Sequence, residues 1–340
     1  MRLIPHNKPT LGREEEEAAL RVLRSDQLSQ GSEVELFENE FCDYLGLPHG
    51  SAVALSNGTS SLFMALKILN AEEKKILFPG YVCSALRHAV SMANGVENTV
   101  DVEPNSPNLN MNTIKQNSPD ISIIPHMYGI PIQIDADDTL VIEDCCQALG
   151  AKVKNKMVGL QGDAGIFSFY VTKLMTSGGQ GGMFVSKNQE YVDAVRDYRE
   201  FDLRNDSKKR FNFKMTDLQA AIGRVQLKKL PYFLKRREEI FQYYKKSGLD
   251  LLDIDDELRR ILEPVRYRAI LKTKNPRKLV SSLESVGVKS IIPTEDWELL
   301  GPWKSLPNAL KFSHETISIP IHPSLTKEHL DIILSGLVIK

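Results

Sequence analysis

Cysteine is scarce in these 340 residues: four are present, two of them adjacent at Cys145 and Cys146. That number and spacing give neither a disulfide framework nor a Cys-x-x-Cys metal site, and the thiols read as reduced and mostly buried. A surplus of one charge is lacking too. Lysine plus arginine (43) and aspartate plus glutamate (44) balance to a formal charge of -1, with no basic run to follow a phosphate backbone, so nucleic acid is not an expected partner. No stretch holds the roughly 18 uninterrupted apolar residues of a membrane helix. The opening "MRLIPHNKPTLGREEEEAAL" turns acidic before any apolar core develops. These absences lead us to expect a soluble cytoplasmic protein that engages no membrane. Repeats and low-complexity tracts are missing as well.

What is present is an alternation. The apolar runs 51–56, 75–80, 121–129, 140–144, 164–170 and 182–186 read as strands, and stretches with helical spacing such as "REEEEAALRVLRS" and "GTSSLFMALKIL" lie between them. This order predicts an α/β fold with a mostly parallel sheet and helices on both faces. Thr216 and Gln219 form a capping box, so a helix is expected to start there. Pro231 is expected to be the first residue of a second, long charged helix, "PYFLKRREEIFQYYKK". Past residue 246 short strands and helices alternate in a smaller unit. The division expected is a large domain over 1–245 and a small C-terminal α/β domain over 246–340.

Four stretches of the first domain carry chemistry. "LSNGTSSL" (55–62) is a strand running through Asn-Gly into a helix, with Gly58, Thr59, Ser60 and Ser61 at the turn. Free N–H groups and hydroxyls there make a phosphate site, or merely a well-capped helix. "LVIEDCCQALGA" puts Asp144 at the carboxyl end of a strand expected to be central, where open α/β sheets bind ligands and a carboxylate can pair with a cationic ring nitrogen. "SFYVTKLMTSGGQGG" sets Lys173 between an aromatic-rich strand and a glycine run. Lysines are usually solvated. Here burial beside the phosphate loop, together with a cationic neighbour, is expected to lower its pKa and suit Schiff-base chemistry. The glycines are no dinucleotide fingerprint, because Gly-x-Gly-x-x-Gly is absent and the run leads into a strand. "RFNFKMTDLQAAIG" places Asn212 just before the capped helix, where it also suits a simple turn.

With these blocks in order, joined by "LSQGSEVELFENEF", "DVEPNSPNLN" and "HMYG", the chain resembles the nucleotide-sugar aminotransferases of the DegT/StrS group. The resemblance runs from about residue 8 to residue 240 and fades after that. It implies a fold-type-I, aspartate-aminotransferase-like pyridoxal 5'-phosphate (PLP) enzyme. Such an enzyme converts a keto-sugar, nucleotide-linked in this group, into an amino-sugar with glutamate or glutamine as donor. By resemblance Lys173 holds PLP as an internal aldimine, Asp144 pairs with the pyridine nitrogen, and Gln147 lies near the phenolic oxygen. Gly58, Thr59, Ser60 and Ser168 match phosphate contacts. Asn212 of a second subunit completes them, which implies a homodimer with shared sites. His126 matches a histidine near the cofactor, against the alternative of a satisfied core histidine.

The chain departs from that pattern in several places. Cys83 stands where an aromatic usually stacks on the ring, leaving Tyr81 as a candidate to take over. Lys214 replaces an arginine that would handle the donor carboxylate, and lysine lacks the bidentate fork. Gln180 replaces a glutamate, and "IIPTEDWELLG" occupies the region of the sugar-pocket block. No metal role is expected for Cys145 or Cys146. Other readings stay open at this point: a sugar dehydratase on the same fold, a silent PLP-fold regulatory protein, and an α/β nucleotide-binding module without PLP. Lys173 counts against the dehydratase, whose branch typically carries histidine there.

Overall fold

Strands built from consecutive apolar residues need cover on both faces, and the intervening helices supply it. The computed structural model describes residues 3–135 and 138–337. Its strands are β1 Ala52–Leu55, β2 Lys75–Pro79, β3 Val96–Val100, β4 Ile121–Pro125, β5 Leu140–Asp144, β6 Lys152–Val153, β7 Lys156–Met157, β8 Ala164–Ser168, β9 Gly182–Val185, β10 Leu262–Glu263, β11 Ala269–Lys272 and β12 Thr316–Ile319. The helices are α1 Arg13–Leu23, α2 Ser32–Leu45, α3 Gly58–Ile68, α4 Ala85–Met92, α5 Met111–Asn117, α6 Gln189–Arg199, α7 Asp217–Lys246, α8 Pro276–Ser285, α9 Pro307–Glu315 and α10 Lys327–Leu337.

The main sheet has seven strands in the order β1-β9-β8-β5-β4-β2-β3. Strand β5 is central and parallel to β4 and β8, while β9 runs antiparallel to both its neighbours. The mostly parallel α/β sheet is as expected. Strand β3 was not foreseen from sequence. "VENTV" is an edge strand with no buried residue, so backbone pairing to β2 makes it a strand without an apolar signal. The run expected over 164–170 stops at Ser168, where its ladder with β9 ends at the Ser168–Gly182 pair. Lys173 therefore lies in the turn beyond the strand, its N–H donating to the Tyr170 carbonyl at 2.8 Å.

The helix start at Thr216 is found, with its side chain accepting from Gln219 N–H in a capping box. Pro231 does not begin a second helix. It sits inside the 30-residue α7. Proline forfeits one backbone bond there, but Leu227, Leu230, Phe233 and Arg237 on either side are all buried. Continuous burial along this face keeps the helix in one piece.

A large core surrounds the main sheet. A second joins Ile240, Phe241 and Tyr244 at the end of α7 to β11, β12, α8, α10 and, from the N-terminus, Ile4. We keep the division at 245/246 as a proposal, noting that both Ile4 and the end of α7 are lent to the second core. None of the described helices is long and apolar enough to cross a membrane.

Candidate active site

Three elements meet at the carboxyl end of the main sheet. The first is the start of α3. Asn57 caps it, accepting from Ser60 N–H at 2.8 Å, and the Ser60 hydroxyl returns to the Asn57 carbonyl at 2.7 Å. Among the described residues the N–H groups of Gly58 and Thr59 donate to nothing, which leaves two donors at the positive end of the helix. Gly58 is required here: a Cβ would lie 2.8 Å from Ser168 Cβ and 3.3 Å from Cys146 Sγ. At Gly182 a Cβ would fall 2.3 Å from the Asn57 carbonyl oxygen, so a bare backbone lets β9 pass against the cap.

The second element is the end of β5. Successive strand residues face opposite sides, and Glu143 and Asp144 part company accordingly. Asp144 is 9% exposed and accepts the Cys146 N–H at 3.0 Å. Glu143 is fully buried on the other side, bonded to the His126 ring at 3.0 Å and to the N–H groups of Gly159 and Gly162. Burial alone would push the Glu143 carboxyl up, but these donors hold it below its ordinary range. His126 is thereby corrected. Its second ring nitrogen accepts from Ile132 N–H at 3.2 Å and the residue is 0% exposed, so it is a satisfied core histidine with no ring nitrogen left for a ligand. Gln147 follows three residues after Asp144. Its carbonyl oxygen accepts from the N–H of Tyr128 at 2.9 Å, and Tyr128 adopts a left-handed backbone (φ 59°, ψ 14°). A tyrosine in that region is strained. Among the described residues the Gln147 amide nitrogen is left with only a 3.8 Å contact to Met127 Sδ.

The third element is the turn carrying Lys173. Its Nζ lies 5.4 Å from the centre of the Tyr267 ring, within electrostatic range of Asp144, Cys146 and Cys83. Here the expected electrostatics are reversed. Burial pulls the lysine pKa down, but Tyr267, Cys146 and Asp144 outweigh it, and the ammonium is held above its ordinary range. The expected fall is therefore not found.

Two other candidates are corrected. Tyr81 is 0% exposed, with the Tyr128 hydroxyl donating to its own at 2.9 Å and Phe312 packed 5.7 Å away, so its ring is enclosed rather than presented to a ligand. Cys83, two residues on, is exposed. Lys214 pairs with Glu200 at 2.8 Å and is not a free cation. Asn212 is exposed, its carboxamide oxygen accepting from Lys214 N–H at 3.2 Å. Sequence reasoning missed Tyr267, whose one local signal is an aromatic between two arginines in "RYR".

The model of the DegT/DnrJ/EryC1/StrS aminotransferase family matches residues 9–338. A UDP-4-amino-4,6-dideoxy-N-acetyl-beta-L-altrosamine transaminase of Campylobacter jejuni is 27% identical over 361 residues, spanning 95% of this chain and 93% of the relative. The GDP-perosamine synthase of Escherichia coli O157:H7 is 29% identical over 288 residues, spanning 80% and 78%. Among solved structures, S. venezuelae DesV in complex with a ketimine intermediate superposes with a TM-score of 0.87 at 25% identity, covering 95% of this chain and 93% of that one.

Proposed function

Because this chain belongs to the DegT/DnrJ/EryC1/StrS aminotransferase family, we propose that Lys173 and Asp144 serve a PLP-dependent amino transfer from glutamate or glutamine to a nucleotide-linked keto-sugar. Sugar amino transfer with PLP is the chemistry of the family; the residue roles and the donor are our reading. One observation carries them: the α3 N-terminus, the β5 carboxylate and the turn lysine converge at one end of the sheet.

The residues present fit the cofactor. The two free N–H groups and the small Gly58 suit a phosphate, with Thr59 and Ser168 beside them. The Ser60 hydroxyl is committed to the cap, so Ser60 contributes through the helix end it stabilises. The under-used amide nitrogen of Gln147 is suited to donate to a phenolate oxygen. When bound, PLP supplies a ring that accepts the electron pair left as a proton departs the donor carbon. Asp144 keeps a ring nitrogen protonated: a carboxylate about 4 Å from a cation is worth roughly 4 kcal/mol at an effective dielectric of about 20. Lys173 Nζ, once the donor amine takes its place, is the base that removes the proton from the donor carbon and returns one to the acceptor carbon.

A homodimer with shared sites and a cytoplasmic location belong to the same proposal. The exposed Asn212, just ahead of α7, is available to a neighbouring subunit, and the four unpaired cysteines accord with a reducing compartment. The deciding experiment is the visible spectrum of the purified protein with PLP, before and after L-glutamate or L-glutamine. A yellow band that fades on adding either donor supports the reading. A protein that forms no band refutes Lys173 as anchor. Acceptor identity is then read from amino-sugar formation with UDP- and GDP-linked keto-sugars.

A further inference from the structure

Arginine side chains bury poorly without a carboxylate, and this molecule pairs most of its guanidinium groups. Arg266, for example, meets Glu238 and Asp253, both at 2.7 Å. Two residues on, Arg268 is different. Among the described residues no carboxylate lies within 4.0 Å of its guanidinium. Its polar contacts are long, 3.4 Å from Nη1 to His6 Nε2 and 3.5 Å to Ser318 Oγ. Most of the five donors of this fork are unused, and the residue is half-buried.

Its place is informative. The Arg268 guanidinium carbon lies 5.3 Å from the centre of the Tyr267 ring, and Lys173 Nζ lies 5.4 Å from the same centre. The two cations share one aromatic ring and are no farther apart than those two distances combined. A donor amino acid must bring its amine to the position of Lys173 Nζ, which puts its carboxylates a few bonds away. Lys214, where a carboxylate partner was expected, is tied to Glu200 at 2.8 Å.

Surrounding charge points the same way. Arg237 is buried close by, bonded through Nη1 to the Arg266, Tyr267 and Ile321 carbonyls with Nε unpartnered. Lys289 and His322 also act on His6 as positive neighbours, and among the described residues none of Arg237, Arg268, Lys289 and His322 has a carboxylate within 4.0 Å.

We infer that Arg268 is the residue that receives a carboxylate of the amino donor, in place of Lys214. This rests on the amino-transfer reading above. The acceptor's diphosphate is the other anion available, and the donor half-reaction distinguishes the two because it contains no nucleotide.

The test titrates PLP-loaded wild type, Arg268→Ala, Arg268→Gln and Lys214→Ala with L-glutamate, following loss of the visible band. A hydrogen-bonded charge pair is worth about 1.5–3 kcal/mol, so half-saturating glutamate should rise roughly 10- to 100-fold in both Arg268 variants. Band position and PLP stoichiometry should not change. Glutarate, which has the carboxylates and no amine, should compete with glutamate in wild type and lose that ability in the variants. Unchanged half-saturation in the Arg268 variants, a rise confined to Lys214→Ala, or an effect seen only in competition by UDP would each overturn the assignment. A wild type with no band would instead refute the amino-transfer reading, and this assignment with it.

Discussion

Replacing His6 tests the charge arrangement at the site without touching the chemistry. Its Nε2 pairs with the Ser318 hydroxyl at 2.8 Å, and burial together with Arg268, His322, Lys289 and Arg237 lowers its pKa from 6.5 to about 3. A proton on the ring would be buried against those cations. An unfolded chain takes up that proton below pH 6.5 and the folded chain does not, so the contribution to stability is complete above pH 6.5 and is lost as pH falls toward 3. Between pH 7 and pH 5 the loss is about 2 kcal/mol at 1.36 kcal/mol per pKa unit, an upper value because the ring retains some solvent contact. His6→Gln keeps a polar group beside Ser318 and cannot titrate. Guanidinium unfolding followed by circular dichroism at the two pH values should show wild type losing up to about 2 kcal/mol more than the variant. His322, lowered to about 4 by burial and Arg237, titrates in both proteins and largely cancels. Equal losses in the two proteins would show that His6 is not held neutral, and the cationic cluster around Arg268 would lose its support. Arg268→Ala should also raise the His6 pKa in an NMR titration, because Arg268 is the largest charge acting on it.

Four further outcomes are expected. Lys173→Ala should keep its melting temperature within a few degrees yet form no lysine-bound band and transfer no amine; normal transamination by this variant would sink the mechanism. Asp144→Ala should still bind PLP but lose roughly 10³-fold in turnover, the kinetic equivalent of about 4 kcal/mol, and near-normal turnover would refute its pairing role. Gly58→Ala puts a methyl 2.8 Å from Ser168 Cβ. Overpacking costs of about 1–3 kcal/mol predict PLP binding weaker by about 10-fold or more in an absorbance titration, whereas unchanged affinity would move the phosphate elsewhere. Mixed dimers of Lys173→Ala and Asn212→Ala subunits should regain activity that neither parent shows, and failure to recover would count against a shared site.

The parts of the site that sequence revealed are those defined by neighbours in the chain. Asn57 and Ser60 cap α3 through contacts three residues apart, and Asp144 ends a run of apolar residues whose central place follows from strand order. Lys173 was found by its flanks, but its electrostatics were misjudged because Tyr267 comes from a segment far along the chain. His126 and Tyr81 failed for a related reason. The ring nitrogens of His126 are consumed by Glu143 and Ile132, and the ring of Tyr81 that was to stack on a ligand is enclosed by Tyr128 and Phe312, all partners a strand or loop away. Arg266 and Arg268 make the same point most sharply. In "RYR" they are the same residue two positions apart, on a segment that the sequence places among the short strands and helices past residue 246. Among the described residues folding gives Arg266 two carboxylates and Arg268 none. A guanidinium's availability is a property of every acid around it, so the cation left over for a substrate can be identified only after all the internal pairs have been assigned.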